Sequence, residues 1–286
     1  MRISPSPGLR PCLFHSSGAL HVALLSCPSC LSVALPSHSP HATQVLASLV
    51  KIRPLHALDI QLTQGLGNTI RELEADETVR ALVITGTGSI FCAGVDLFRI
   101  LEGGPDYTDE FFWSLVETLK ALFGCPHPLV AAINGHAIAG GCVLAAASDY
   151  RIMARGPGKI GVPELRVGMP FPLVAIEILR FATSDAHLQE LIYQGKTYAV
   201  GEAYERGLLD EVVEPDSLLQ RAQEVAANLC SEPSARFRIT KRQLRAPSLR
   251  QMEYGPDTDS EVLDAWKDPT TVAAIQEYVR LMRNRG

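Results

Sequence analysis

Glycine stands at the mouth of a helix twice in this chain, each time just after a short apolar strand. The first place is Phe91-Cys92-Ala93-Gly94-Val95-Asp96-Leu97, and the second is Asn134-Gly135-His136-Ala137-Ile138-Ala139-Gly140-Gly141-Cys142. Such junctions leave amide N–H groups without intrahelical partners at the positive end of a helix dipole. Glycine also lets a ligand approach that backbone closely. Two such amides aimed at one point would stabilise an oxygen on which negative charge develops. One junction alone is more often an ordinary strand-to-helix turn, so the argument rests on the pair. Gly86 and Gly88 do not open a nucleotide fingerprint, because Phe91 occupies the place of its third glycine.

The segments around the junctions alternate between strand and helix. Asp59 can cap a helix whose apolar positions Leu62, Leu66, Ile70 and Leu73 fall at helical spacing. Ala81 to Thr85, Leu129 to Ile133 and Tyr150 to Ala154 read as buried strands. A helix carrying Phe112, Leu115, Leu119 and Leu122 follows a loop at Gly103-Gly104-Pro105, and a short one runs through Cys142 to Ser148. This order builds α/β layers. Beyond Pro172 the pattern turns mainly helical, over 173–182, 186–194, 200–206, 216–230, 234–245 and 271–284. Leu218, Ala222, Val225 and Leu229 form an apolar stripe. Helices beyond Asp216 are therefore expected to pack across subunits. The expected division is an extension over 1–44, a core over 45–215 and a helical region over 216–286.

Composition excludes some function classes. Of 286 residues 47% are hydrophobic, enough for one sizeable core. A formal net charge of −5 argues against a nucleic-acid binder, which needs a basic surface. No apolar run has the length to span a bilayer, so no membrane partner is expected. The seven cysteines are scattered and odd in number, which fits reduced buried thiols in an intracellular protein. Cys27 and Cys30 make a lone CxxC without the second ligand pair that zinc needs. Residues 1–44 are rich in Ser, Pro and His, with Arg2 and Arg10 as their only Lys or Arg. They read as a disordered or targeting-like extension, giving a cytoplasmic location, or a mitochondrial matrix one if the extension is a transit peptide.

Taken together, the two junction segments resemble the paired signatures of the crotonase (enoyl-CoA hydratase/isomerase) superfamily. The resemblance rests on Ala57-Leu58-Asp59, Arg80 to Gly86, Phe91 to Leu97, Pro128 to Gly135, Ala139 to Leu144 and Ser148-Asp149-Tyr150. Gly195, Gly201 to Leu208 and Asp210 to Val213 extend it, so that it covers about 45–286. It implies a spiral of ββα turns with a helical C-terminal oligomerisation region, assembled as a trimer or a dimer of trimers. It further implies an acyl-CoA substrate, no metal or redox cofactor, and a first hairpin within Val45 to Pro54. The family's oxyanion hole falls on the amides of Val95 and Gly140, with Ala93, Gly94, Asp96, Leu97 and Gly141 as substrate-contacting neighbours.

Family hydratases use two glutamates. Their first position falls here on Val143, which cannot exchange protons, and their second on Glu164. Apolar neighbours should raise the Glu164 pKa, and Arg166, if close, would oppose that. This single-glutamate pattern, with Asn134 to Ile152, is similar to the mitochondrial Δ3,Δ2-enoyl-CoA isomerases. Met169-Pro170-Phe171-Pro172 also departs from the glycine-rich stretch of the hydratases. Rival readings are a hydratase of altered mechanism, a thioester hydrolase, or a non-catalytic acyl-CoA-binding scaffold subunit. Asp96 and Asp149 read as structural caps or turn acids, and His136 as a bystander. Trp266 and Tyr278 read as core or subunit contacts, while Lys51, Arg53 and Arg280 are candidate partners for the CoA phosphates.

Overall fold

A computed structural model describes residues 22–24, 47–51, 57–76, 78–230 and 234–284. Its first strands are β1 (Val22–Leu24), β2 (Ala47–Lys51) and β3 (Ala57–Leu58), followed by helix α1 (Ile60–Ala75). Asp59 caps α1 as its position predicts, its Oδ1 accepting from the Leu62 amide at 2.7 Å. Then β4 (Ala81–Thr85), β5 (Ile90–Cys92) and β6 (Gly94–Val95) lead into α2 (Leu97–Gly124). The next turn of the spiral is β7 (Leu129–Ile133), β8 (His136–Ile138) and α3 (Gly140–Ala146). A third supplies β9 (Tyr150–Ala154), β10 (Lys159–Gly161), a 3₁₀ turn over Glu164–Val167 and α4 (Leu173–Ala182). After these come α5 (Asp185–Tyr193), β11 (Thr197–Ala199), α6 (Val200–Glu205) and β12 (Glu211–Val213). Helices α7 (Leu218–Leu229), α8 (Ser234–Met252), α9 (Gly255–Lys267) and α10 (Pro269–Arg283) complete the described chain.

The strand pairs separate into two sheets. The first strand of each ββα turn enters a parallel sheet ordered β1-β2-β4-β7-β9-β12. The second strand enters a smaller sheet ordered β11-β10-β8-β5. This is the spiral of ββα turns, and it explains why β4 and β7 are buried at every residue. A parallel sheet covered on both faces favours such unbroken apolar runs. Side chains alternate, so Leu82, Ile84, Ala131 and Ile133 enter the main core while Val83, Val130 and Ile152 face the other way.

The stripe on α7 differs from expectation. Leu218, Ala222 and Val225 cover Ala81, Val83, Val130, Ala132 and Ile152 of the same chain, with Leu229 beside them. The outer face of the sheet is apolar and needs a cover, and α7 supplies it within the chain. Helix α2 also differs, because it begins at Leu97 rather than after Gly103-Gly104-Pro105. Gly104 takes φ 66°, ψ −159°, and the helix resumes past this kink with Pro105 inside it. Helix α8 runs on to Met252 through Pro247, and α9 was not expected at all.

The expected first hairpin is not formed by the described residues. Ala47–Lys51 is one strand lying parallel between β1 and β4. Val22–Leu24, inside the segment expected to be an extension, occupies the edge of the sheet beside it. This short apolar run fits the open edge of an apolar parallel sheet, whereas Cys12, Cys27, Cys30 and Arg53 lie outside the described residues. Deleting residues 1–44 removes only three described residues of ladder. It should lower the unfolding free energy by about 1–2 kcal/mol at one net hydrogen bond per roughly 1 kcal/mol, with turnover maintained. Chemical denaturation beside a turnover assay checks this, and collapse of either quantity would show that the segment completes the fold.

Candidate active site

The two glycine junctions meet. A Cβ on Gly94, which has φ 88°, would lie 2.6 Å from the Ala139 Cβ, 2.9 Å from the Ile138 carbonyl oxygen and 3.3 Å from the Gly140 nitrogen. No side chain fits there, so the backbone after β5 lies directly against the backbone opening α3. The Asp96 amide donates to the Leu58 carbonyl at 3.0 Å, which ties β6 to β3. Peptides alternate in direction along a strand, so the Val95 N–H faces away from β3. On the other junction, the first bonds of α3 run from Cys142 and Val143 to the Ala139 carbonyl, leaving Gly140 ahead of them. Ala139 adopts φ 55°, ψ −129°, the one positive φ outside glycine among the described residues. That conformation costs on the order of 1–3 kcal/mol, and it sets the direction of the Gly140 amide.

Val95 and Gly140 both line one open cleft. Ala93 and Leu97 join them, whereas Gly94, Asp96 and Gly141 are not among its lining residues. Asp96 caps α2 through the Phe98 and Arg99 amides, and Gly141 packs where a Cβ would meet the Cys92 carbonyl oxygen at 2.2 Å. His136 accepts the Lys159 amide on Nδ1 and so joins β8 to β10. Arg280 pairs with Glu277. Asn134, at the start of the second junction segment, accepts the Gly86 amide and donates to the Gly88 carbonyl. It thereby fixes the turn that leads into the first junction.

Glu164 opens the 3₁₀ turn after Pro163 and lines the same cleft. Its Oε2 is buried and has no hydrogen-bond partner. Burial pushes the carboxyl up from 4.5 to about 8, against a small opposing pull from its own backbone amide. Arg166 does not oppose the shift, since its guanidinium turns to the Gln194 carbonyl at 3.0 Å. Val143 lines the cleft as well, 1% exposed.

Residues 169–172 form one wall, and the C-terminal helices hold it in place. Trp266 Nε1 donates to the Pro170 carbonyl at 2.8 Å, and the Leu173 amide donates to Asp259 Oδ1 at 2.7 Å. Asp259 thus caps α4 from α9. Trp266, expected as a core or subunit contact, is buried in the core and also lines the cleft, and Tyr278 lines it too. The pinning of the 169–172 wall by α9 is what brings Trp266 there.

Residues 45–279 match the protein family described as enoyl-CoA hydratase/isomerase. The chain belongs to this family. Among enoyl-CoA hydratase/isomerase relatives, a putative enoyl-CoA hydratase of Thermus thermophilus is 32% identical over 201 residues, covering 69% of this chain and 79% of its own. The mitochondrial enoyl-CoA delta isomerase 1 of Mus musculus is 28% identical over 202 residues, covering 69% and 70% respectively. The crystal structure of human mitochondrial delta3-delta2-enoyl-CoA isomerase superposes with a TM-score of 0.76 at 25% identity, covering 80% of this chain and 91% of that one. The ββα spiral is therefore the crotonase fold, and the chain is an enzyme of the enoyl-CoA hydratase/isomerase family. Among the described residues, no helix is long and apolar enough to cross a membrane.

Proposed function

We propose that the enzyme is a Δ3,Δ2-enoyl-CoA isomerase with Glu164 as its single base. One observation carries the reading: among the described residues lining the cleft, Glu164 is the one carboxylate, and Val143 fills the position of a second. The thioester oxygen of the substrate accepts from the Val95 and Gly140 amides, which stabilises the enolate as it forms. Glu164 takes the proton from C2, and the electron pair delocalises into the C3–C4 double bond. The carboxylic acid so formed returns the proton at C4, leaving the double bond between C2 and C3. No proton or electron is gained overall, so the reaction needs neither water nor a redox partner or metal. Hydration would instead require water to be activated and a second proton to be delivered, and the Val143 methyls can do neither. A non-catalytic scaffold gains nothing from burying a carboxyl at the cost of a raised pKa, which favours an enzyme that uses it. Self-association as a trimer or a dimer of trimers belongs to the same proposal and is read by light scattering.

The deciding experiment incubates the protein with 3-enoyl-CoA and with 2-enoyl-CoA and identifies the products. Conversion of the first to 2-enoyl-CoA is expected. Hydration at enzymatic rates without isomerisation would overturn the assignment.

Two further results follow from the proposed roles. The hole acts through backbone, so Val95→Ala should keep most activity while Gly140→Pro, which lacks the N–H, should lose about a hundredfold in turnover. Proline is tolerated at the first position of a helix, and a Cβ there would meet Leu58 Cδ1, the end of a flexible side chain, at 2.8 Å. Circular dichroism shows whether the variant folds, and full activity in folded Gly140→Pro would reassign the second donor. In the free enzyme Glu164 must lose its proton before it can act. Hence kcat/KM should rise with pH and level off above about 8, where its carboxyl is ionised. A pH–rate profile that is already flat near neutrality would contradict the raised pKa.

A further inference from the structure

The cleft is graded from a wet end to a dry one. Ala93 is exposed and Tyr278 is 39% exposed, whereas Leu115, Leu119, Ala175 and Trp266 lie between 1% and 4%. The dry end is carbon, apart from the indole nitrogen of Trp266, and that nitrogen is occupied by the Pro170 carbonyl. Trp266 is also held from behind. Phe112, fully buried, stands edge-on to it with ring centroids 5.2 Å apart and planes at 88°. Trp113 then stands edge-on to Phe112 at 5.3 Å. An indole fixed at its nitrogen and backed by a packed ring cannot swing aside to lengthen the cavity.

We propose that Trp266 is the specificity-determining residue for acyl-chain length, forming the floor that the terminal carbons of the substrate meet. The inference rests on the acyl-thioester reading of the cleft given above. A thioester held between the two junctions places its CoA portion toward the exposed end. Its hydrocarbon tail then runs into the apolar end, where each buried methylene is favourable. The gain continues only until the chain reaches the indole. Beyond that length, further carbons must displace packed side chains, and the affinity stops rising.

The test uses two opposite changes. Trp266→Leu lowers the floor, and Ala175→Leu raises it by adding carbon to the α4 wall. Binding of butanoyl-, octanoyl-, dodecanoyl- and hexadecanoyl-CoA to wild type and both variants is measured by calorimetry, with folding confirmed by circular dichroism. Saturated thioesters are not isomerised, so the readout is independent of the reaction. Each methylene newly admitted is worth about fourfold in affinity. Trp266→Leu should therefore improve the ratio of long-chain to short-chain affinity by at least about tenfold, and Ala175→Leu should reduce it. Parallel length profiles in all three proteins would overturn the proposal. If Trp266→Leu does not fold, an unchanged profile in Ala175→Leu overturns it alone. Length-dependent binding without isomerisation of 3-enoyl-CoA would sink the isomerase assignment while supporting the gauge. Isomerisation combined with binding indifferent to chain length would sink the gauge alone.

Discussion

Glu164→Gln should reduce isomerase turnover by about a thousandfold, within the range that a positioned general base contributes. Glutamine keeps the size of the side chain and removes the basic oxygen that takes the C2 proton. KM should change little, because the backbone donors and the apolar walls remain. The same variant has a second signature in stability. The folded-state pKa of about 8 lies above the ordinary 4.5, so the native protein holds a proton that the unfolded chain releases between those values. Wild-type stability should therefore fall as pH rises through that window and level off above about 8. Glutamine is neutral throughout, so the melting temperature of the variant should gain on wild type over the same interval. Melting curves across this pH range, beside single-turnover rates, measure both effects. Full isomerase rate in Glu164→Gln would remove Glu164 from the mechanism. Parallel melting curves would show that the carboxyl does not carry the raised pKa.

The parts of the fold set by local chemistry were legible in the sequence. The Asp59 cap, the β4 and β7 runs and the two glycine junctions depend on residues a few positions apart. Glu164 was legible in another way. Its neighbours suggested burial, but its pairing with Val143 came from register with a family rather than from any local pattern. The kink in α2 was misread because Gly103-Gly104-Pro105 has the composition of a loop, and a single left-handed glycine is enough to pass through it. Gly255-Pro256 hid α9 similarly, although proline at the start of a helix forfeits an N–H that has no partner anyway. Trp266 and Asp259 contribute to the cleft from about ninety residues downstream of the wall they hold. No periodicity or motif carries that information, which belongs to tertiary packing.

Asp149 shows the same distance effect, and its replacement should cost the most stability. Read as a turn acid, it proves to be the anchor of α8. Its Oδ2 accepts from Lys241 Nζ at 2.6 Å and from the Leu129 amide at 2.8 Å, while Oδ1 accepts from Arg245 at 2.7 Å. The cations are 6% and 2% exposed. Burial pulls the Lys241 pKa down, and the Asp149 charge holds it up. Lys241 also donates to the His127 carbonyl, and Arg245 to the Phe123 and Ala147 carbonyls, so α8 is tied to the ends of α2, α3 and β7. Asp149→Asn keeps the shape and leaves two buried cations without a counter-charge. Breaking a buried ion pair from one side typically costs about 3–5 kcal/mol. Chemical denaturation should show a loss of that order, with α8 released first in hydrogen exchange. Adding Lys241→Met to Asp149→Asn removes one stranded charge and should restore part of the stability, because the penalty lies in the unpaired cation rather than in the missing carboxylate. A double variant no more stable than Asp149→Asn would place the loss in the Leu129 and Arg245 bonds instead.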